Sequence, residues 1–121
     1  MKISFDDMNP TLSGDGVDMR TTRIGDDIVL MRVKCAAGTD FGPACKGLPH
    51  DACPCEHWGT MVAGQMNITT HDGQSFELKA GDAFHLQPGH LPTFPVDTEW
   101  FDFSPKPQVE ALLQNMGLEL P

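Results

Sequence analysis

The densest run of potential metal donors in this chain is His50-Asp51-Ala52-Cys53-Pro54-Cys55-Glu56-His57, directly ahead of Trp58 and Gly59. On extended backbone, residues two apart share a face, so Cys53, Cys55 and His57 point one way and Glu56 the other. Neighbours in that row stand about 6.6–6.8 Å apart, a span that two side chains close around one ion held at about 2.0–2.3 Å. Cys55 with His57 is the easiest pair. On a straight strand Cys53 and His57 fall about 13 Å apart, so both reach one ion only if the backbone bends between them. Pro54, which cannot donate to a ladder and belongs at a strand start or bulge, supplies the place for that bend. A fourth donor must come from elsewhere in the chain, and His90, just past the Pro88-Gly89 turn, is the best placed. Cys53, Cys55, His57 and His90 are therefore the candidate metal ligands.

Soft thiolates favour zinc over magnesium or calcium and disfavour oxygen-activating iron relative to an all-imidazole and carboxylate set. Zinc is the first choice of metal and iron the second. Two thiolates and two imidazoles around Zn²⁺ make a neutral, coordinatively full site of the structural kind. Three protein ligands leave a position for water or substrate. Glu56 and Asp51 are near enough in sequence to act as general base or acid beside such a metal. The remaining donors have plainer readings. Cys35 ends an apolar strand and suits a small buried hydrophobe, and Cys45 divides evenly between inert and accessory. His85 alternates with Phe84 and Leu86 and is expected outside, His71 beside a hairpin turn is expected in solvent, and His50 is expected in a loop. Trp58, Trp100, Phe84, Phe101 and Phe103 are assigned to core or pocket wall, and the seven methionines to packing.

The elements that must position these groups are mostly strands. The first two dozen residues are polar and turn-rich, with Asn9-Pro10 and Ser13-Gly14-Asp15-Gly16, and residues 1–27 are expected to be an N-terminal arm. Ile28 to Cys35 is dense in branched residues and reads as a strand covered on both faces. Thr39 to Pro54 is a long loop, of the length that usually serves function. Trp58 to Thr70 alternates as a strand broken at Gly64, and Asp72-Gly73 is a hairpin signal with Ser75 to Lys79 returning. Ala83 to Gln87, Thr93 to Val96 and Trp100 to Phe103 continue the series, which places a barrel or sandwich over residues 28–105. Val109, Leu112, Leu113 and Met116 then form a helical stripe closed by Gly117, a short C-terminal helix within residues 106–121 of the same single domain.

At 121 residues, with 12 glycines and 10 prolines, the chain suits one turn-rich domain. Seventeen acidic against eight basic residues give a net charge of −9, which excludes nucleic acid and anionic membrane surfaces as partners. No run approaches the roughly 18 apolar residues of a membrane span, and Met1 to Asp7 lacks an apolar secretory segment. The expectation is a cytoplasmic protein whose four cysteines are free thiols. There is no phosphate-binding glycine loop, no serine elbow and no tyrosine.

Between Ile28 and Pro105 the sequence resembles the cupin superfamily, specifically small single-domain cupins with a cysteine-rich first motif. The matching residues are Gly47-Leu48-Pro49, Cys53-Pro54-Cys55-Glu56-His57-Trp58-Gly59, and a second motif running from Gly81-Asp82 through Pro88-Gly89-His90 to Pro92. The resemblance implies an all-β fold, a small antiparallel cupin-like barrel of the jelly-roll type with a metal pocket inside and the short C-terminal helix appended. The usual cupin ligands are two histidines two apart, a following glutamate and a late histidine. Aligned on Gly64, this chain has Asp51 and Cys53 at the paired histidines and His57 at the glutamate. Aligned on Gly81, Pro92 takes the late position and His90 lies two residues earlier. The inherited features are thus a pocket and a small-molecule ligand or substrate, with a homodimer as the default assembly because open sheet edges need covering. Two functions follow: a metal-dependent enzyme of unassigned specificity, or a non-catalytic ligand-binding or metal- and redox-sensing module with a structural Cys/His site.

Overall fold

The computed structural model describes residues 1–121. Nine strands follow one another as β1 (Asn9–Gly14), β2 (Val17–Ile24), β3 (Ile28–Cys35), β4 (His57–Ala63), β5 (Gln65–Thr70), β6 (Ser75–Lys79), β7 (Ala83–Leu86), β8 (His90–Thr93) and β9 (Thr98–Pro105). Two helices, α1 (Gly42–Cys45) and α2 (Lys106–Asn115), complete the regular structure apart from single 3-10 turns at Phe5–Asp7 and Pro49–Asp51. All strand pairings are antiparallel, in a six-stranded sheet of order β1-β2-β3-β9-β4-β7 and a three-stranded sheet of order β6-β5-β8. The inner faces of the two sheets enclose one core, to which β2 and β3 give Met19, Met31 and Val33, β5 gives Met66 and Ile68, and β9 gives Trp100. This is the antiparallel jelly-roll with a short C-terminal helix that the sequence leads one to expect. No helix is long and apolar enough to cross a membrane.

Residues 9–24, expected within an N-terminal arm, form β1 and β2 instead: β1 pairs with β2, and β2 pairs in register with β3 from Val17↔Cys35 to Ile24↔Ile28. Two features disguise them. The inward row of β2 is Val17, Met19 and Thr21, so its third member is polar, and that hydroxyl pairs with Thr11 at 2.7 Å. Asp15-Gly16, which reads as a breaker, is the two-residue hairpin loop, with φ of 52° and 80° as such a turn requires. Strand β3 is covered throughout on its inner face, but Arg32 and Lys34 leave its outer face open beyond Leu30. The strand expected at Thr93 to Val96 is β8, shifted upstream to His90–Thr93, because it pairs with β5 and ends before Phe94-Pro95. Helix α2 buries Val109, Leu112 and Leu113 as the stripe predicts and ends at Asn115, short of the chain end, with Gly117 at φ 75° turning the chain away.

Two glycines set the approach of strands around the pocket. At Gly59, in β4, a side chain would run into the Phe101 carbonyl, the Phe84 ring and Asp102 Cβ, so glycine lets β4 lie close against β9. At Gly64, where the chain leaves one sheet for the other, φ is +82° and a Cβ would meet the Asp97 carbonyl and Thr98. Only glycine adopts that conformation there without strain.

Candidate metal centre

The Cys53–His57 segment leads into β4 and lies against the start of β8, where His90 follows the Pro88-Gly89 turn. Cys53 is anchored first, through its backbone: its N–H donates to the His90 carbonyl at 2.9 Å, and the Gly89 N–H donates to the Cys53 carbonyl at 2.8 Å. The chain then bends through Pro54 and joins β4 at His57. Cys53 Sγ consequently lies 3.6 Å from His57 Nε2, where a straight strand would hold the two residues about 13 Å apart. The donor atoms of Cys53, Cys55 and His57 all lie within 4.8 Å of one another, and all three residues are buried. Glu56 faces outward, where its carboxylate accepts a hydrogen bond from His85 Nε2 at 2.6 Å. The alternation of faces read from sequence is thus present.

His57 is held from behind. Its Nδ1–H is shared between Asp102 Oδ1 at 3.1 Å and Ser104 Oγ at 2.6 Å, while Ser104 donates to Asp102 Oδ1 at 2.6 Å. Trp100 Nε1–H donates to the other carboxylate oxygen at 3.0 Å. Asp102, 1% exposed, therefore has both oxygens engaged and fixes the imidazole with Nε2 facing the sulfur. A carboxylate behind a histidine in this way sets the tautomer and raises the basicity of a metal-binding nitrogen. His90 is arranged alike: its Nδ1–H donates to the Gln87 carbonyl at 2.6 Å, and its ring stands 5.2 Å from that of His57, edge to face.

The electrostatics follow from these contacts. Cys53 is held well below the usual thiol range by a hydrogen bond from Cys55, with His57 and His90 also favouring its thiolate against the cost of burial. Cys55 is pushed far up, because it shares its proton with Cys53, is buried, and faces the charges of Cys53 and Asp102. Its S–H also points to the Gln108 carbonyl in α2 at 3.2 Å. For His57, burial favours the neutral ring, but the Asp102 carboxylate and the Cys53 sulfur outweigh it and lift the imidazole to about 10. Burial raises Cys45 to about 11, helped by the Cys53 charge, and Cys35 to about 12.

Cys35, the last residue of β3, is buried but belongs neither to the donor group nor to the cavity lining. Cys45 lines the cavity beside it. His85 stacks on Trp58 on the outer wall, at 5.1 Å and 7°, and His50 stacks on His71 at the surface, at 4.0 Å and 10°. Of the aromatics assigned to core or pocket wall, Trp100 and Phe84 are inside, whereas Trp58 at 42% and Phe103 at 39% exposure are on the outer face. The strand period explains this: each neighbours an inward residue, Trp58 beside His57 and Phe103 between Asp102 and Ser104. Asp102, Ser104 and Gln108 complete the site and lie outside the donor run of the sequence. The available signal was a carboxylate and a hydroxyl at alternate positions after Trp100.

A cavity of about 70 Å³ opens directly beside the cluster, lined by Cys53, His57, His90 and Asp102 and otherwise by mostly apolar side chains. A soft donor set, two imidazoles with their Nδ1 atoms committed elsewhere, and a thiolate already favoured fit a thiophilic divalent ion.

The same architecture recurs among solved structures. An RmlC-like cupin from Shewanella frigidimarina superposes with a TM-score of 0.63 at 18% identity, covering 85% of this chain and 87% of that one. KdgF from Halomonas sp. gives 0.59 at 19% identity, covering 84% and 91%. The polyketide cyclase RemF from Streptomyces resistomycificus gives 0.60 at 16% identity, covering 87% and 78%. No protein-family model and no curated protein matches the sequence. The chain has the cupin fold, and its Cys/His cluster lies within the barrel.

Proposed function

We propose that this protein is a metal-binding cupin in which Cys53, Cys55, His57 and His90 hold zinc, with iron the second candidate, and in which the adjoining cavity receives a small molecule. The observation that carries the reading is the Cys53 Sγ to His57 Nε2 approach of 3.6 Å, with Asp102 holding the opposite side of the imidazole. Bound there, zinc would act as a Lewis acid or acidify a water. The chain's own contribution is to orient the two imidazoles, to keep Cys53 ionised and to exclude bulk water with an apolar wall.

Cys55 separates the enzyme from the non-catalytic module. With Cys55 left protonated on the Gln108 carbonyl, Cys53, His57 and His90 would be the ligands and a position would stay open for substrate, as an enzyme requires. Ionised as a second thiolate, its sulfur already being within 4.8 Å of the Cys53 and His57 donor atoms, it would complete a neutral four-coordinate site that stiffens the barrel or senses metal and thiol state. Metal analysis of the purified protein, with absorption spectroscopy of the cobalt form, gives metal identity, thiolate number and coordination number together. A five-coordinate or single-sulfur spectrum supports the enzyme, and a tetrahedral two-sulfur spectrum supports the module. Cys55→Ser lowers metal content and melting temperature, while Cys35→Ser leaves metal content unchanged. Equal metal loss in the two variants would show that the wrong thiols have been chosen.

A further inference from the structure

We propose that the cavity takes an uncharged molecule of a few non-hydrogen atoms, with a single polar head toward the imidazoles and an apolar body against a wall of methionines. This deepens the metal-centre reading and rests on it. Size comes first. A cavity of about 70 Å³ is about half the size of one that holds benzene, so it has room for only a few non-hydrogen atoms. The wall comes second. Of 17 lining residues 13 are hydrophobic, among them Met19, Met31, Met66 and Met116, whose thioethers adapt to irregular apolar shapes.

Charge decides the class. No lysine or arginine lines the cavity, and both oxygens of Asp102 are already engaged by His57, Ser104 and Trp100. With no lysine or arginine in the lining and an otherwise apolar wall, an anionic ligand entering the cavity would lose its hydration without gaining a counter-charge from the protein. A polyhydroxylated ligand fares no better, since an apolar wall leaves its hydroxyls unpaired. A ketone, alcohol or similar one-headed molecule meets neither penalty.

Two small probes of nearly equal shape, 2-butanone and propionate, separate these cases. Titrated into the zinc-loaded protein with ¹³C-labelled methionine methyls, 2-butanone shifts the resonances of Met19, Met31, Met66 and Met116 saturably. Propionate requires at least about tenfold higher concentration, if it acts at all, because its charge goes uncompensated. Ala44→Phe, at a partly exposed position of the lining, abolishes the 2-butanone shifts while zinc content is kept. Equal binding of propionate, or no response to either probe in zinc-loaded protein, overturns the proposal. Zinc content measured on the same samples tests the metal centre separately. A zinc-free chain that still prefers 2-butanone supports the ligand class and overturns the metal reading.

Discussion

Strands β4 and β9 lie side by side, and their two faces invert the usual division of residues. The face turned into the barrel carries, beside Met61 and Trp100, four buried polar groups, His57, Thr98, Asp102 and Ser104. The face turned to solvent carries Trp58, Val62 and Phe103, all large and exposed. Burying polar groups is costly unless each finds a partner, and here each does: the molecule has no buried side-chain nitrogen or oxygen without a hydrogen bond. The inner face is therefore a closed network in which Trp100, Asp102, Ser104, His57 and Cys53 depend on one another. The outer face is a set of side-by-side contacts, such as Trp58 on His85, any of which can be lost singly. A network of that kind is retained for what it orients, whereas independent surface contacts add little each.

The largest effect is expected where the network is cut. Asp102→Ala leaves the Trp100 N–H without its buried acceptor and the raised His57 imidazole without its counter-charge, with only Ser104 Oγ still beside it, and lowers unfolding free energy by roughly 3–5 kcal/mol, measured by urea denaturation. The same variant weakens metal binding by roughly 10–100-fold. A loss below about 1 kcal/mol would show that the inner face is no more cooperative than the outer.

An intermediate effect is expected from pH in the metal-free protein. His57, raised from 6.5 to about 10 by folding, contributes stability that is fully present below pH 6.5 and lost as pH rises through about 10. Cys53, lowered from 9.0, contributes stability that is fully present above pH 9 and lost as pH falls through its depressed value. Above both pH 6.5 and the depressed Cys53 value, and up to pH 9, the two cancel, because folding moves a proton from thiol to imidazole without exchanging one with solvent. Stability contributed by the pair is flat there and declines between pH 9 and 10 as the unfolded thiol ionises while folded His57 keeps its proton. Denaturation midpoints across pH 6–10, compared with those of Cys53→Ala, isolate this contribution. A steady slope attributable to Cys53 between pH 7 and 9 would contradict the pairing.

The smallest effect is expected outside. Phe103→Thr removes a ring that is 39% exposed and keeps a good strand former, so it costs less than about 1 kcal/mol and leaves metal content unchanged. A loss of metal in that variant would mean that the outer face supports the inner network through the backbone of β9.

Much of the fold was legible in local pattern, since β3, β6, β7 and the stripe of α2 announce themselves by their own periodicity. Strands β1 and β2 were not legible, because a threonine in the inward row and a glycine-rich hairpin loop give them the composition of an arm. At the site, the soft donors, their shared face, the outward Glu56, the bend at Pro54 and the distant partner His90 could all be read from residue type and spacing. Asp102 and Ser104 announce only an alternating polar row after Trp100, and which donors they and Gln108 hold, 45 or more residues away, depends on strand pairing and helix docking.

The sequence alone determined which side chains could ligate and that the proline had to bring them together, because donor chemistry and two-residue alternation are local properties. Tertiary structure decided the rest. Only the β4–β9 register, with Gly59 opposite Asp102, sets a carboxylate behind His57, and only the docking of α2 sets a carbonyl before Cys55. Such placements depend on which strands pair and how far they are offset, and no stretch of chain encodes that by itself.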